Sequence, residues 1–75
     1  MPLIFIYAYS GRDLETKKAA ALAIVKAASE AMGAPETAFT VAYEDVERES
    51  WEKEVGQPIL EPLRGKLLIE HGKPV

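Results

Sequence analysis

The chain has 75 residues, no cysteine and one histidine, and its 9 basic residues against 12 acidic residues give a net charge of −3. These counts exclude disulfides, thiolate zinc sites and cysteine nucleophiles, and they argue against a protein that binds a nucleic-acid backbone. A chain this short forms one domain that is marginally stable alone. Because neither disulfides nor a metal cluster are available, we predict a single domain over residues 1–75 that gains stability from a partner subunit.

The longest apolar runs have seven residues, which is too short to cross a bilayer. Met1-Pro2 leads directly into a strand-like segment, without the basic region of a signal peptide. We therefore expect a cytoplasmic protein that binds neither membranes nor nucleic acid.

The first predicted element is a strand from Leu3 to Tyr9, because the run is rich in β-branched and aromatic residues. It shows no alternation of apolar and polar residues. One face would carry Ile4, Ile6 and Ala8, and the other Leu3, Phe5, Tyr7 and Tyr9. A strand that is apolar on both faces is covered on both faces.

A helix is predicted from Leu14 to Met32, with Asp13 as the N-cap, Gly33 as the C-terminal cap and Pro35 as the stop. The apolar residues expected to face the sheet are Leu14, Ala21, Leu22, Val25, Ala28 and Met32. The charged residues expected to lie away from that face are Lys17, Lys26 and Glu30.

A second strand is predicted from 37 to 46, where Phe39, Val41 and Tyr43 alternate with more polar residues. Two strands joined by a 19-residue helix should be parallel, with a right-handed crossover. We therefore predict an α+β fold: a β-α-β unit with parallel strands, which pairs with a second subunit because one sheet face stays uncovered.

The last third of the chain predicts a short helical segment. Ser50 is a suitable cap for a helix over 51–55, and Gly56 is expected to end it. Proline and glycine weaken residues 59–68 as a regular helix, and residues 69–75 are predicted to be a polar tail.

The residues that could perform chemistry are few. His71 is interpreted as a solvated tail residue, and the carboxylates between Glu44 and Glu54 as a solvated acidic face. Pro2 is more unusual, because removal of Met1 would leave a secondary amine beside an apolar strand. Apolar surroundings disfavour the ammonium form, so this amine could serve as a general base. From the spacing alone, a chance Met-Pro start remains the alternative.

Several motifs share the spacing of a known family. Met1-Pro2 opens a strand, Ser10-Gly11-Arg12 precedes the helix, Gly33-Ala34-Pro35 precedes the second strand, and Trp51 follows it. In this register the chain resembles the 4-oxalocrotonate tautomerase family over residues 1–51. Its longer end, with Pro58, Pro62 and Gly65 in place of a Gly-rich hairpin, is more similar to the dimeric branch of the tautomerase superfamily.

The resemblance implies a keto–enol tautomerase, an intramolecular oxidoreductase-type isomerase that needs no cofactor and no metal. Pro2 would be the catalytic base. Arg12 would bind a substrate carboxylate, often across a subunit interface, and Trp51 would form an apolar wall. Thr40 stands where the best-studied members have a second arginine. The implied substrate is therefore a 2-hydroxy-enoate or 2-oxo acid with an aryl substituent, and the implied assembly is a homodimer, with a hexamer as the alternative.

Other interpretations stay open at this point. Arg12 could be a solvated loop arginine, and Trp51 could belong to a dimer core. If Met1 stays attached, the Pro2 nitrogen is an amide and cannot act as a base. The chain would then be a non-catalytic dimeric interaction module that kept the fold. A hydrolytic dehalogenase is less compatible with the sequence, because that chemistry needs two arginines and Thr40 replaces one of them.

Overall fold

The computed structural model describes all 75 residues, and the chain forms two compact units, Met1–Asp45 and Val46–Val75. The first unit contains strand β1 (Leu3–Tyr9) and helix α1 (Leu14–Met32). Strand β2 (Thr40–Val46) begins in this unit and ends at the boundary. The β-α-β unit with parallel strands is confirmed. The expectation of a single domain over residues 1–75 stays a prediction.

One backbone hydrogen bond gives the register of the β1–β2 pair. The amide of Thr40 donates to the carbonyl of Pro2 at 3.1 Å. In a parallel ladder this bond places Thr40 opposite Leu3 and Tyr43 opposite Ile6. One face of the sheet therefore carries Ile4, Ile6, Ala8, Val41, Tyr43 and Asp45. The other, which we call the open face, carries Leu3, Phe5, Tyr7, Tyr9, Thr40, Ala42 and Glu44.

Helix α1 lies on the first of these faces. Its Lys17 pairs with Asp45, and the Lys17 ammonium lies 5.4 Å from the centre of the Tyr43 ring. On the open face, Leu3 is 69% and Phe5 48% exposed, whereas Tyr7 and Ala42 are partly buried. The two-sided apolar strand expected from the sequence is thus present, with one side covered.

The predicted apolar stripe of α1 is correct only in part. Ala21, Val25 and Ala28 are partly buried, as expected. Leu14, Leu22 and Met32 are exposed, and the prediction was wrong for them. Leu14 and Met32 stand at the helix ends, and Leu22 is turned well to the side of the Ala21–Val25 row at 100° per residue. Lys17 was assigned to the wrong side, because it lies one turn before Ala21 on the same row.

Both ends of α1 are capped as the sequence predicts. The side chain of Asp13 accepts a hydrogen bond from the Thr16 amide at 2.8 Å. At the other end, Gly33 has φ +69°, a left-handed conformation that glycine adopts without strain, and its amide donates to the Ser29 carbonyl.

Strand β2 begins later than predicted. Residues Glu36–Ala38 form a 3₁₀ turn, and the strand starts at Thr40 instead of residue 37. Pro35 precedes the turn with its fixed φ of −68°, and the Ala38 amide donates to the Pro35 carbonyl. The local turn hydrogen bonds therefore replace ladder bonds in these residues.

In the second unit, the helical segment is longer than predicted and is not α-helical. A 3₁₀ turn over Arg48–Ser50 leads into a π-helix over Glu52–Leu60 and a 3₁₀ helix over Glu61–Lys66. Gly56 does not end the segment, since it lies buried inside the π-helix. Pro58 also lies inside it. Its ring would collide with a carbonyl in a regular α-helix, and the chain takes the wider π turn here.

Residues 69–75 are not a polar tail. Ile69–Glu70 (β3) and Lys73–Pro74 (β4) pair as an antiparallel hairpin. The two turn residues, His71 and Gly72, have φ of 52° and 78°. Positive φ at both positions matches the type I′ turn of two-residue hairpins. The chain therefore has a C-terminal hairpin, which removes one argument for a dimer over a hexamer.

The hairpin is held to the preceding 3₁₀ helix by Arg64. Its guanidinium pairs with the carboxylates of Glu70 and Glu61, the latter at 3.0 Å. The hydrogen bond to Glu70, followed by that to Glu61, raises the pKa of Arg64 above its ordinary value.

The core of the chain is thin. Val46 and Val55, both in the second unit, are 4% and 5% exposed, and no side chain falls below 2%. Many large apolar residues are exposed, which is the pattern of a chain that buries further surface in an assembly. None of the helices is both long enough and apolar enough to cross a membrane.

The cap at Asp13 makes helix stability depend on pH. The hydrogen bond from the Thr16 backbone amide, followed by that from its side chain, lowers the pKa of Asp13 below 3.8. A lowered folded pKa gives stability that is present above pH 3.8 and is lost as the pH falls through the folded value. Asp13→Ala should lower the melting temperature at pH 7, because the cap is removed.

Asp13→Asn is the matched control, since asparagine caps well and does not titrate. Its melting temperature should be close to that of the unaltered chain at pH 7. Below pH 3.8 it should lie level with or above the unaltered chain. Circular dichroism melts at both pH values measure this. A difference in melting temperature between Asp13→Asn and the unaltered chain that is the same at both pH values would contradict the prediction.

Candidate active site

Pro2 and Thr40 lie together at the end of the sheet where β1 and β2 begin. Their backbones are joined by the 3.1 Å hydrogen bond from the Thr40 amide to the Pro2 carbonyl. Pro2 is half-buried, and Met1 before it is fully exposed. Because the Thr40 amide is already engaged, only its exposed hydroxyl is left to contact a ligand.

Apolar groups follow Pro2 along β1. Leu3 is directly next in the chain, and the rings of Phe5 and Tyr7 stack with centroids 4.6 Å apart and an interplanar angle of 16°. All three belong to the open face. The strand that follows Pro2 thus carries no charged side chain over its seven residues.

Arg12 lies at the opposite end of β1 from Pro2. Seven extended residues separate the two ends of the strand, a length of roughly 23 Å at about 3.3 Å per residue. The guanidinium of Arg12 donates through Nη1 to the Tyr9 carbonyl at 3.2 Å. This bond holds the Arg12 side chain at the C-terminal end of β1. Arg12 and Pro2 of the same chain therefore do not meet.

Trp51 belongs to the second unit and stands at the start of its π-helix. It lies between the 3₁₀ turn Arg48–Ser50 and the π-helix Glu52–Leu60, as the C-cap of the first and the N-cap of the second, with φ −55° and ψ −50°. Its side chain is partly buried. Within the first unit, the structure brings Pro2 and Thr40 together and places Arg12 at the other end of β1.

The sequence analysis missed Lys17, which lies close to the end of β1 that bears Arg12. Its ammonium pairs with the Asp45 carboxylate and lies over the Tyr43 ring, and its side chain is only 20% exposed. The signal was present in the sequence: Lys17 precedes Ala21 by four residues and Val25 by eight, so it belongs to the sheet-facing row.

The two ends of the β-α-β unit therefore offer different chemistry. The end with Pro2 and Thr40 offers the Thr40 hydroxyl and apolar surroundings, and it would also offer a secondary amine at Pro2 if Met1 were removed. The end with Arg12 and Lys17 offers two cations, of which Lys17 is paired with Asp45. An acid or base at the first end and an anion site at the second could act on one ligand only if two chains meet.

Comparison with known protein families identifies a match. The model of a family described as "Tautomerase enzyme" matches residues 2–54, which is more than two thirds of the chain. The match starts at Pro2 and includes Arg12, Thr40 and Trp51. A search of curated proteins found no significant match.

Proposed function

The chain belongs to the tautomerase family and carries a domain of the isomerase type, and on that premise we propose that it is a keto–enol tautomerase with Pro2 as general base. Its substrate would be a 2-hydroxy-enoate or 2-oxo acid with an aryl substituent. The observation that carries this proposal is the placement of Pro2 at the head of an uncharged strand, anchored through its carbonyl by Thr40. A cytoplasmic location and independence from cofactors are part of the proposal.

Once Met1 is removed, the Pro2 nitrogen becomes a secondary amine. The neutral amine takes the proton of the 2-hydroxyl of the enol, and the electron pair of that O–H bond forms the C2–O double bond. The C2–C3 double bond supplies the electrons for a new C3–H bond, to which the prolyl ammonium returns the proton. The amine is regenerated and the substrate is converted to its keto isomer with no net gain or loss of atoms or electrons, so no oxidant, reductant or metal is consumed.

The amine must be largely unprotonated at neutral pH for this step. The strand that follows Pro2 supports this, because it has no charge and exposes Leu3 and Phe5 on the open face. Covering that face with a partner would remove water from around the amine and disfavour its ammonium form. Trp51 would add an apolar wall, and exclusion of water would strengthen the electrostatic interactions within the site.

Thr40 supports a substrate with a single carboxylate. It places a neutral hydroxyl next to Pro2, where it could donate a weak hydrogen bond to the substrate's 2-oxo group. A second substrate carboxylate would meet no cation from this position. An aryl group in its place would match the apolar surroundings of the strand.

The carboxylate-binding Arg12 would come from a second chain. Pro2 and Arg12 stand at opposite ends of β1, so an antiparallel approach of two β1 strands brings one chain's Pro2 to its partner's Arg12. The outer edge of β1 favours this pairing, because it lacks the charged residues that usually protect an edge strand. A two-fold axis then completes two equal sites, which makes the homodimer the smallest active unit. A hexamer of three such dimers is compatible with the same sites.

One observation favours a second candidate function. With Met1 attached, the Pro2 nitrogen is an amide, and Thr40 replaces a cation of the usual site. A chain that retained Met1 would be a non-catalytic dimeric interaction module with the same fold.

The state of the Pro2 nitrogen separates the two functions. Protein without Met1 should convert phenylenolpyruvate to its keto form, with a rate that rises with pH and then levels off. Pro2→Ala after Met removal should slow the reaction by about 10²- to 10⁴-fold, because a less suitable amine remains. Absorbance assays on protein checked by mass spectrometry measure this. Equal rates with and without Met1 would exclude Pro2 as the base.

Thr40→Arg should widen the substrate range to dicarboxylates. The new guanidinium could pair with a second carboxylate, so kcat/KM for a 2-hydroxy-dienedioate should rise by about tenfold or more relative to phenylenolpyruvate. Thr40→Gln, which adds length without charge, is the control. The backbone bond to Pro2 is retained in both variants. An equal gain in both variants would contradict the charge argument.

Mixing two inactive variants tests the shared site. Pro2→Ala and Arg12→Ala chains, unfolded and refolded together, form mixed dimers in which one of the two sites has both residues. About a quarter of all sites should then be intact, if the chains mix at random. The ketonisation rate of the mixture, compared with the separately refolded variants, measures this recovery. A rate equal to the sum of the two separate variants would show that the site does not form between chains.

A further inference from the structure

Lys17 makes the contacts that join the start of α1 to the sheet. Its ammonium pairs with the carboxylate of Asp45 near the end of β2, and it lies 5.4 Å from the centre of the Tyr43 ring. Its amide also donates to the Asp13 carbonyl at 3.1 Å, in the first turn of the helix. Lys17 therefore stabilises the first turn of the helix through its backbone and joins that turn to β2 through its side chain.

No apolar side chain shares this task at the helix start. Leu14, the large apolar residue of the first turn, is 63% exposed. The next residue of the sheet-facing row is Ala21, whose side chain is a single methyl group. The position of the first turn relative to β2 thus depends on Lys17 more than on apolar packing.

The loop that carries Arg12 is held between β1 and this first turn. On one side, Arg12 donates to the Tyr9 carbonyl at 3.2 Å. On the other side, Asp13 caps α1 through the Thr16 amide. Gly11 between them has φ +130°, a conformation that residues with a side chain rarely adopt. A shift of the first turn would move Asp13, and Arg12 with it.

We propose that Lys17 is a positioning residue that holds Arg12 where it binds the substrate carboxylate, through its pair with Asp45 and its contact with Tyr43. This inference rests on the proposed function, because it assumes that Arg12 binds that carboxylate. Lys17 does not itself neutralise the substrate, since its charge is already balanced by Asp45. The pair is partly exposed, at 20% and 37%, so the effect is modest rather than decisive for folding.

The test compares steady-state kinetics of three variants with phenylenolpyruvate and with its neutral methyl ester. Lys17→Met should raise KM for the acid by about three- to tenfold, with little change in kcat, since the anchor and not the base is altered. Lys17→Arg should retain most of the affinity because it keeps the charge. Lys26→Met, at an exposed lysine of the same helix, should leave both constants unchanged. For the ester, KM should not respond to any of the three.

Asp45→Asn distinguishes positioning from direct charge. It leaves the ammonium of Lys17 unpaired, so a direct role in binding the carboxylate would lower KM for the acid. A positioning role would raise KM, as in Lys17→Met. A lower KM would therefore overturn the proposal.

A double-variant cycle separates the failure of this inference from the failure of the proposed function. In the Arg12→Ala background, Lys17→Met should cause no further rise in KM. If Arg12→Ala raises KM but Lys17→Met does not, or if the two effects simply add, the positioning role is wrong and the proposed function stands. If Arg12→Ala leaves KM for the acid unchanged, Arg12 does not bind the carboxylate, and this part of the proposed function falls together with the positioning role of Lys17.

Discussion

The parallel pairing of β1 and β2 is the constraint on which the rest of the site depends. In a parallel pair both strands begin at the same end of the sheet, and the hydrogen bond from the Thr40 amide to the Pro2 carbonyl joins the two strands at that end. The same geometry sends Arg12 to the far end of β1. The candidate base and the candidate anion-binding residue are therefore separated by the length of a strand, and no rotation of side chains within one chain can join them.

The separation of Pro2 and Arg12 and the thin core of the chain would both be remedied by contact with another chain. The open face of the sheet exposes Leu3 and Phe5, and no side chain of the chain is fully buried. A second copy paired along the edge of β1 would supply the missing cation, and a further contact over the open face would bury Leu3 and Phe5. Stability and activity would then both depend on assembly.

Helix α1 is held to its sheet by a mixture of small apolar residues and one ion pair. Ala21 and Ala28 allow close approach but bury little surface, which leaves the start of the helix to the capping of Asp13 and the contacts of Lys17. Such polar contacts are individually weak. They are, however, directional, and the loop that presents the Arg12 guanidinium to a ligand must be held in one orientation.

The β-α-β order, the caps at Asp13 and Gly33, and the family could be predicted from the sequence, because they depend on local propensity and on motif spacing. The spacing of Lys17 to Ala21 and Val25 also indicates the sheet-facing row, but a lysine usually faces solvent, and the acidic partner on β2 that holds it at the sheet is visible only in the folded chain. The π-helix through Gly56 and Pro58 and the C-terminal hairpin were likewise missed. Glycine and proline predict a break, but whether the chain stops there or takes a wider turn depends on contacts between residues distant in sequence. The separation of Pro2 and Arg12 follows already from the predicted strand Leu3–Tyr9, whereas the pairing register that places Thr40 beside Pro2 depends on contacts between residues distant in sequence.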